Sequence, residues 1–152
     1  MATPFRNEVH LGLDLYRGYV ESVITIADLD AAATTDTVAL PTLPTNSFPL
    51  FAAFNVGAYF TGGTISAMTA QYGDAGDPNG YLAALNVFDT TALGSWTVAT
   101  LGVEAEYGST GPALEATAYA GLVLFTATGD DVDQATTGHL TCRQYYKRYE
   151  IK

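Results

Sequence analysis

The chain has 152 residues and a formal net charge of −10, and only 14% of its residues are charged. A typical globular protein has roughly 25% charged residues. The length fits a single domain, and the acidic balance argues against general nucleic-acid binding and against adhesion to anionic membranes. The lone cysteine, Cys142, excludes an internal disulfide framework, and the longest apolar stretch is too short for a membrane helix.

Basic residues are confined to the two ends of the chain. All six lie within the first 17 or the last 10 positions, whereas thirteen carboxylates lie between Gly18 and Cys142. Such asymmetry along a chain is typical of interaction segments, and chance placement of a few basic residues is the alternative.

Residues 1–19 are predicted to form an extended arm, and residues 20–152 to form one β domain. In the arm, Leu11, Leu13 and Leu15 alternate with small or polar residues, as in a strand. Proline and glycine residues interrupt the pattern and favour an extended conformation.

Beyond the arm, short alternating or β-branched segments are separated by Gly, Pro and Asp residues, and no segment shows sustained helical periodicity. The predicted strands are, in chain order, residues 20–26, 35–43, 51–60, 65–72, 81–88, 96–107, 118–128 and 139–149. About eight short strands with glycine-rich turns predict an all-β fold, a jelly-roll-like antiparallel β-sandwich or barrel with an extended N-terminal arm.

Few residues suit catalysis. His139 and Cys142 are three positions apart on a predicted strand, so their side chains point to opposite faces and cannot form a nucleophile–base pair. We expect Cys142 to be a small buried residue. Glycoside hydrolysis requires two carboxylates that face each other, and the sequence does not single out such a pair. We therefore expect no enzyme activity.

Two acidic loops offer oxygen atoms to a cation such as calcium. They contain Asp74, Asp77 and Asn79 in one case and the Asp130–Asp133 segment in the other. Their spacing departs from the calcium-loop pattern, and Asp before Gly or Pro is ordinary turn chemistry. We expect turns here, with no metal and no cofactor, although an ion at the Asp74/Asp77 loop stays open.

Both basic ends also carry aromatic residues, and tyrosine and arginine are enriched at the centres of protein interfaces. The predicted interface residues are Phe5, Arg6, Tyr16, Arg17 and Tyr19 in the arm and Arg143, Tyr145, Lys147, Arg148 and Tyr149 in the last strand. Parity places Arg143, Tyr145, Lys147 and Tyr149 on one side of that strand. An edge strand protected by its charges is the alternative interpretation.

A carbohydrate-binding or tail-associated recognition module is the alternative function. The ten tyrosines and Trp96 would supply the exposed rings that such a module uses, although tyrosine in strands mainly serves packing.

Several scaffold motifs occur in an informative order. They are the turn Asp30–Asp36, the segment Gly62–Thr69, the loop Tyr72–Leu82, Val87–Asp89, Leu124–Asp130 and Thr136–Gly138 before the tyrosine-rich last strand. This order resembles the small decoration, or head-auxiliary, proteins of tailed bacteriophages, over residues 25–149. The N-terminal segment and the basic last strand have no residue-by-residue match.

The resemblance implies a jelly roll that assembles as a homotrimer on the outer surface of the virion, after assembly in the host cytoplasm. It also implies the major capsid protein as partner and the cementing of neighbouring capsomers as the function. Neither nucleic acid nor membrane is an expected partner.

Overall fold

The structure, a computed structural model, describes residues 13–45, 47–100 and 119–151, with only the backbone described at 48, 100, 13–17 and 147–151. These ranges contain eight β-strands and no α-helix. The strands are β1 (Leu13–Thr25), β2 (Thr35–Ala39), β3 (Ser47–Thr61), β4 (Ala67–Gly73), β5 (Leu82–Asn86), β6 (Trp96–Thr100), β7 (Leu122–Thr128) and β8 (Thr137–Ile151). Single-turn 3-10 helices follow β1 at Ile26–Asp28 and β7 at Val132–Gln134. The all-β prediction is confirmed.

The strands form two four-stranded antiparallel sheets, ordered β1-β8-β3-β6 and β2-β7-β4-β5. Four strand pairs are nested: β1 with β8, β2 with β7, β3 with β6 and β4 with β5. The β3·β8 and β4·β7 ladders then join these pairs side by side. A long nested hairpin rolled into two sheets is a jelly roll, and the sheets form an open sandwich without closing into a barrel.

The first and last strands pair over thirteen residues without a register shift, from Leu13 opposite Ile151 to Thr25 opposite His139. Residues 13–19, which the sequence assigned to the arm, are therefore part of the sheet. Their backbone groups pair with β8, which an extended arm would leave to solvent. Residues 1–12 lie outside the described residues, so the arm stays a prediction there.

Prolines determine where β2 ends. The sequence predicted a strand over residues 35–43, yet β2 stops at Ala39, just before Leu40 and Pro41. The N–H groups of Leu40 and Leu43 still donate to the carbonyls of Gly121 and Tyr119. Proline has no N–H to donate to a ladder, so regular pairing cannot continue through this segment.

The core lies between the two sheets and is built from alternate residues of each strand. Aromatic rings contact one another across the gap: Phe54 of β3 lies 5.4 Å from Tyr72 of β4, and Phe60 of β3 lies 5.3 Å from Phe125 of β7, between ring centroids. Such tilted pairs add to the free energy gained by burying apolar area.

Strand β8 shows the alternation most clearly. Leu140, Cys142, Gln144 and Tyr146 are buried, whereas the intervening side chains are half-buried. Gln144 is a polar group in this apolar layer, and its Nε2 donates to the Pro41 carbonyl at 2.9 Å while its Oε1 accepts from the Tyr72 hydroxyl at 3.2 Å. These bonds offset the cost of burying the amide and connect the two sheets.

We expect Gln144→Met to lower the free energy of unfolding by about 1–3 kcal/mol, because both hydrogen bonds are lost while the buried volume is kept. Urea denaturation measures the change. The control is Thr141→Val, a substitution on the opposite face of β8, with an expected change within about 0.5 kcal/mol. Equal stability of the Gln144→Met variant and the parent chain would contradict the role of the amide.

Candidate interaction surface

The antiparallel β1·β8 ladder brings the two basic ends of the sequence together. Arg17 lies opposite Lys147, and Tyr16 lies opposite Arg148. Four of the six basic residues, Arg17, Arg143, Lys147 and Arg148, are thus in two neighbouring strands. The positional pattern in the sequence therefore corresponds to one region of one sheet.

Arg143 lies at the centre of the outer face of the β1-β8-β3-β6 sheet. Its Nε donates to Glu21 Oε2 on β1 at 2.6 Å, in a pair whose side chains are 32% and 41% exposed. The hydrogen bond that Arg143 donates to Glu21 raises the pKa of Arg143 above its usual range, so this group is a permanent cation.

The guanidinium of Arg143 also contacts two aromatic rings. Its Cζ lies 5.0 Å from the ring centroid of Tyr19 on β1 and 4.4 Å from that of Trp96 on β6. The residue between Arg143 and β6 in the ladder is Ala53 of β3, whose small side chain leaves room for this contact. Cation–π contacts thereby connect both edges of the sheet through a single side chain.

A second aromatic row lies beside Arg143. Tyr145 stacks on Phe51 of β3, with ring centroids 4.4 Å apart and an interplanar angle of 17°, and lies 5.3 Å from Tyr19. A shallow depression of about 310 Å³ opens beside this row, and Gly18, Leu50 and Tyr146 complete its lining. The outer face thus carries a row of aromatic rings, formed by Tyr19, Tyr145 and Phe51, beside Arg143.

Exposed apolar area is concentrated on this face. The large hydrophobic side chains that remain exposed on described strands are Tyr19 (51%), Val23 (53%), Trp96 (42%) and Val98 (54%), and all four belong to β1 or β6. On the other sheet, the half-buried and exposed positions of β2 (TDTVA) and β4 (AMTAQYG) carry small or polar side chains, and the leucines Leu82 of β5 and Leu122 and Leu124 of β7 are half-buried, not exposed. The β1-β8-β3-β6 face is therefore the better candidate for a contact with another protein.

The structure brings together some of the predicted interface residues. Tyr19, Arg143 and Tyr145 contact one another on the outer face. Tyr16, Arg17, Lys147, Arg148 and Tyr149 are in the β1·β8 ladder by their backbone, and Phe5 and Arg6 lie outside the described residues.

Sequence reasoning missed several residues of this face, which are Glu21, Val23, Phe51 and Val98, and it named Trp96 only for the carbohydrate-binding alternative. Strand parity links Glu21 and Val23 to Tyr19, so that signal was present in the sequence. Nothing in the sequence placed β6 and β3 beside β8.

The side chains considered for catalysis or metal binding either differ in burial or already accept backbone hydrogen bonds. Cys142 is buried, and burial raises the pKa of its thiol to about 12, whereas His139 on the same strand is exposed. In one acidic loop, Asp74 Oδ1 accepts the N–H groups of Gly76 and Asp77. These bonds match the predicted turn chemistry.

In the other acidic loop, Asp130 Oδ2 accepts from Thr64 N at 2.8 Å. Backbone hydrogen bonds from Thr64 and Asp131 lower the pKa of Asp130. Among the described residues, no three His, Cys, Asp or Glu side chains are grouped to hold a metal ion. The described residues also include no helix long and apolar enough to span a membrane.

The sequence matches no protein-family model and no curated protein. A chain in the structure of the cyanophage Pam1 capsid asymmetric unit is similar to this one, with a TM-score of 0.55 and 18% identity over 97% of this chain and 92% of that chain. A chain in the capsid structure of Ralstonia phage GP4 gives a TM-score of 0.46 and 18% identity over 96% and 90% of the two chains. The first likeness shows a shared fold over nearly the whole chain.

We expect Arg143→Ala to expose Trp96, the single tryptophan, because the guanidinium covering its ring is removed. Tryptophan emission should shift to the red and become more sensitive to acrylamide. The free energy of unfolding should change by no more than about 1 kcal/mol, since the contacts are partly exposed. Thr141→Ala is the matched control on the same strand and face, and an unchanged spectrum of the Arg143→Ala variant would contradict the contact.

Proposed function

We propose that this chain is a structural protein of a phage head, a decoration protein that binds the outer face of the assembled shell and cements neighbouring capsomers. The exposed aromatic and arginine face of the β1-β8-β3-β6 sheet is the observation that carries the proposal. The fold shared with a chain of the cyanophage Pam1 capsid supports it. The motif order that resembles decoration proteins supports it as well.

The outer face has the composition of an interface centre. Trp96, Tyr19 and Arg143 belong to the residue types that dominate binding energy, and they are already in contact with one another. Because Glu21 neutralises Arg143, burial of this pair leaves neither of these two charges unpaired. Preorganised side chains also lose little conformational entropy on binding.

Cementing requires only simultaneous weak contacts, so the proposal includes no catalytic site. In a homotrimer, three copies of one contact act together, and avidity can exceed a single contact by about 10²–10⁴-fold without new chemistry. A protein that binds only the assembled shell stabilises that shell by mass action. The major capsid protein is the proposed partner, at the outer virion surface after assembly in the host cytoplasm.

The charge of the chain agrees with an external position. The net charge of −10 would repel the phosphates of a packaged genome, so nucleic acid is not a proposed partner.

We expect Val98→Asp to weaken binding to purified undecorated heads at least about tenfold, because it places an unpaired charge within the apolar contact. Leu93→Asp is the matched control: Leu93 is 49% exposed, close to the 54% of Val98, but lies in the loop before β6. Co-sedimentation with heads measures binding, and heating the heads with and without bound protein measures cementing. Equal loss for both variants, or equal rupture of bare and decorated heads, would contradict the proposal.

We expect the purified protein to sediment as a homotrimer at micromolar concentration, since three linked contacts are the source of the avidity. Sedimentation equilibrium gives the mass directly. A monomer of 16.0 kDa under these conditions would remove the trimer from the proposal while leaving head binding to be measured separately.

The alternative, a carbohydrate-binding or tail-associated recognition module, rests on the exposed rings of Tyr19 and Trp96. Stacking against a sugar needs an open ring face, and Arg143 lies over both rings. Glycan-array binding that is abolished by Trp96→Ala, without any binding to heads, would favour this alternative over the capsid function.

A further inference from the structure

Strand β1 is an edge of its sheet. Within the described residues it pairs with β8 alone, so one row of its backbone N–H and C=O groups faces β8 and the other row faces away from the sheet. An edge of this kind is a template for pairing with another strand.

This edge differs from the other edges of the described sandwich. β1 has thirteen residues, whereas the edge strands β2, β5 and β6 have five each. Shortness, proline, bulges and charged side chains all protect edges. Strand β1 is long, contains no proline and pairs with β8 without a register shift, and its charged residues are Asp14, Arg17 and Glu21. A long and regular edge of this kind favours pairing with a specific partner strand.

The residues of β1 are complementary to a second copy of β1 running antiparallel. The strand spans positions 13 to 25, so pairing centred on Tyr19 places each position i opposite position 38 − i of the other copy. Position 17 is arginine and lies opposite Glu21, and by symmetry this pair occurs twice. Leu15 lies opposite Val23, and Tyr19 lies opposite itself.

Only this register combines opposite charges. In the joined sheet, residues that face the core in one copy must lie opposite residues that face the core in the other. Even positions therefore pair with even positions and odd with odd, and the two-fold axis must pass at a residue. Centring on residue 18 places Arg17 opposite Tyr19, and centring on residue 20 places Glu21 opposite Tyr19. Centring on 17 or 21 places like charges opposite each other, which is destabilising.

We propose that β1 pairs with β1 of a second copy about a two-fold axis at Tyr19, which joins two four-stranded sheets into one of eight strands. Glu21 then lies between Arg143 of its own chain and Arg17 of the second copy, and a carboxylate has acceptor sites for both. The outer aromatic faces of the two copies become continuous through the Tyr19 pair.

This contact goes beyond the proposed cementing function and does not depend on it. A cyclic trimer uses two different patches per subunit, whereas a two-fold contact uses the same patch on both. The two contacts can therefore coexist, and the two-fold contact would link one trimer to the next. A single strand pair is smaller than a standard interface, so it is weak between free copies and strengthened when a shell holds many copies.

The test is disulfide trapping of the full chain with a mild oxidant, at about 0.5 mM, where a contact of this size is populated. Tyr19→Cys places two thiols opposite each other, with Cα atoms about 4.5–5.5 Å apart, within the range for a disulfide. Val23→Cys is the matched control, equally exposed on the same strand and face, but its two copies would be about 26 Å apart. The native Cys142 is buried and does not compete.

We expect the Tyr19→Cys variant to form a covalent dimer at least about tenfold faster than the Val23→Cys variant, since only the first pair of thiols lies within disulfide distance. Equal rates, or no dimer from either variant, would overturn the β1 pairing. Neither result depends on capsid binding, so failure here is distinguishable from failure of the cementing function.

Charge reversal provides a second, independent measurement in the Tyr19→Cys background. Arg17→Glu alone and Glu21→Arg alone each place like charges opposite one another twice, so each should crosslink slowly. When the two variants are mixed, both cross-strand pairs become opposite in charge, and the mixed dimer should form preferentially, as its mass reveals. A statistical mixture of dimers would overturn the proposed register.

Discussion

The pairing of the first described strand with the last is the constraint on which the rest of the structure depends. β8 forms ladders with β1 on one side and β3 on the other, and thus provides the spine of one sheet. The remaining strands are nested between β1 and β8 in the chain. Contacts this distant in sequence close long loops before they gain any stabilisation, which makes jelly rolls slow to fold and cooperative once formed.

Successive side chains of β8 point alternately to the core and to the outer face, so neighbouring residues have different roles. Cys142 and Gln144 face the core, where the amide joins the sheets through Pro41 and Tyr72. Arg143 and Tyr145 face outward and organise the aromatic surface with Tyr19, Phe51 and Trp96. A one-residue slip of this strand would expose the amide and bury the guanidinium, so the same register maintains both the core and the outer face.

The outer face and the β1 edge offer two different kinds of contact. The face presents aromatic rings around a neutralised arginine, which suits a partner of different sequence. The edge presents backbone groups and a self-complementary charge pattern, in which Arg17 of one copy would lie opposite Glu21 of the other, and this suits a second copy of this chain. The two contacts would use different surfaces of the chain, so each can form without the other.

The sequence alone determined the all-β class, the approximate positions of the eight strands and the turn role of the acidic loops. These features depend on local chemistry: alternation, proline and glycine positions, and aspartate before glycine. Parity also placed Arg143 and Tyr145 on one face and Cys142 on the other. Only the structure shows that residues 13–19 of the predicted arm pair with β8, through Gly18.

Only the tertiary structure decided which strands are neighbours. Trp96 is 47 positions from Arg143 in the chain, and no local pattern predicts that its ring lies under that guanidinium. The contact exists because β3 and β8 pair and because Ala53 is small enough for the arginine to pass over it. Long-range pairing, set by the burial of both sheets' inner faces, thus brought Arg17, Arg143, Lys147 and Arg148 into two neighbouring strands.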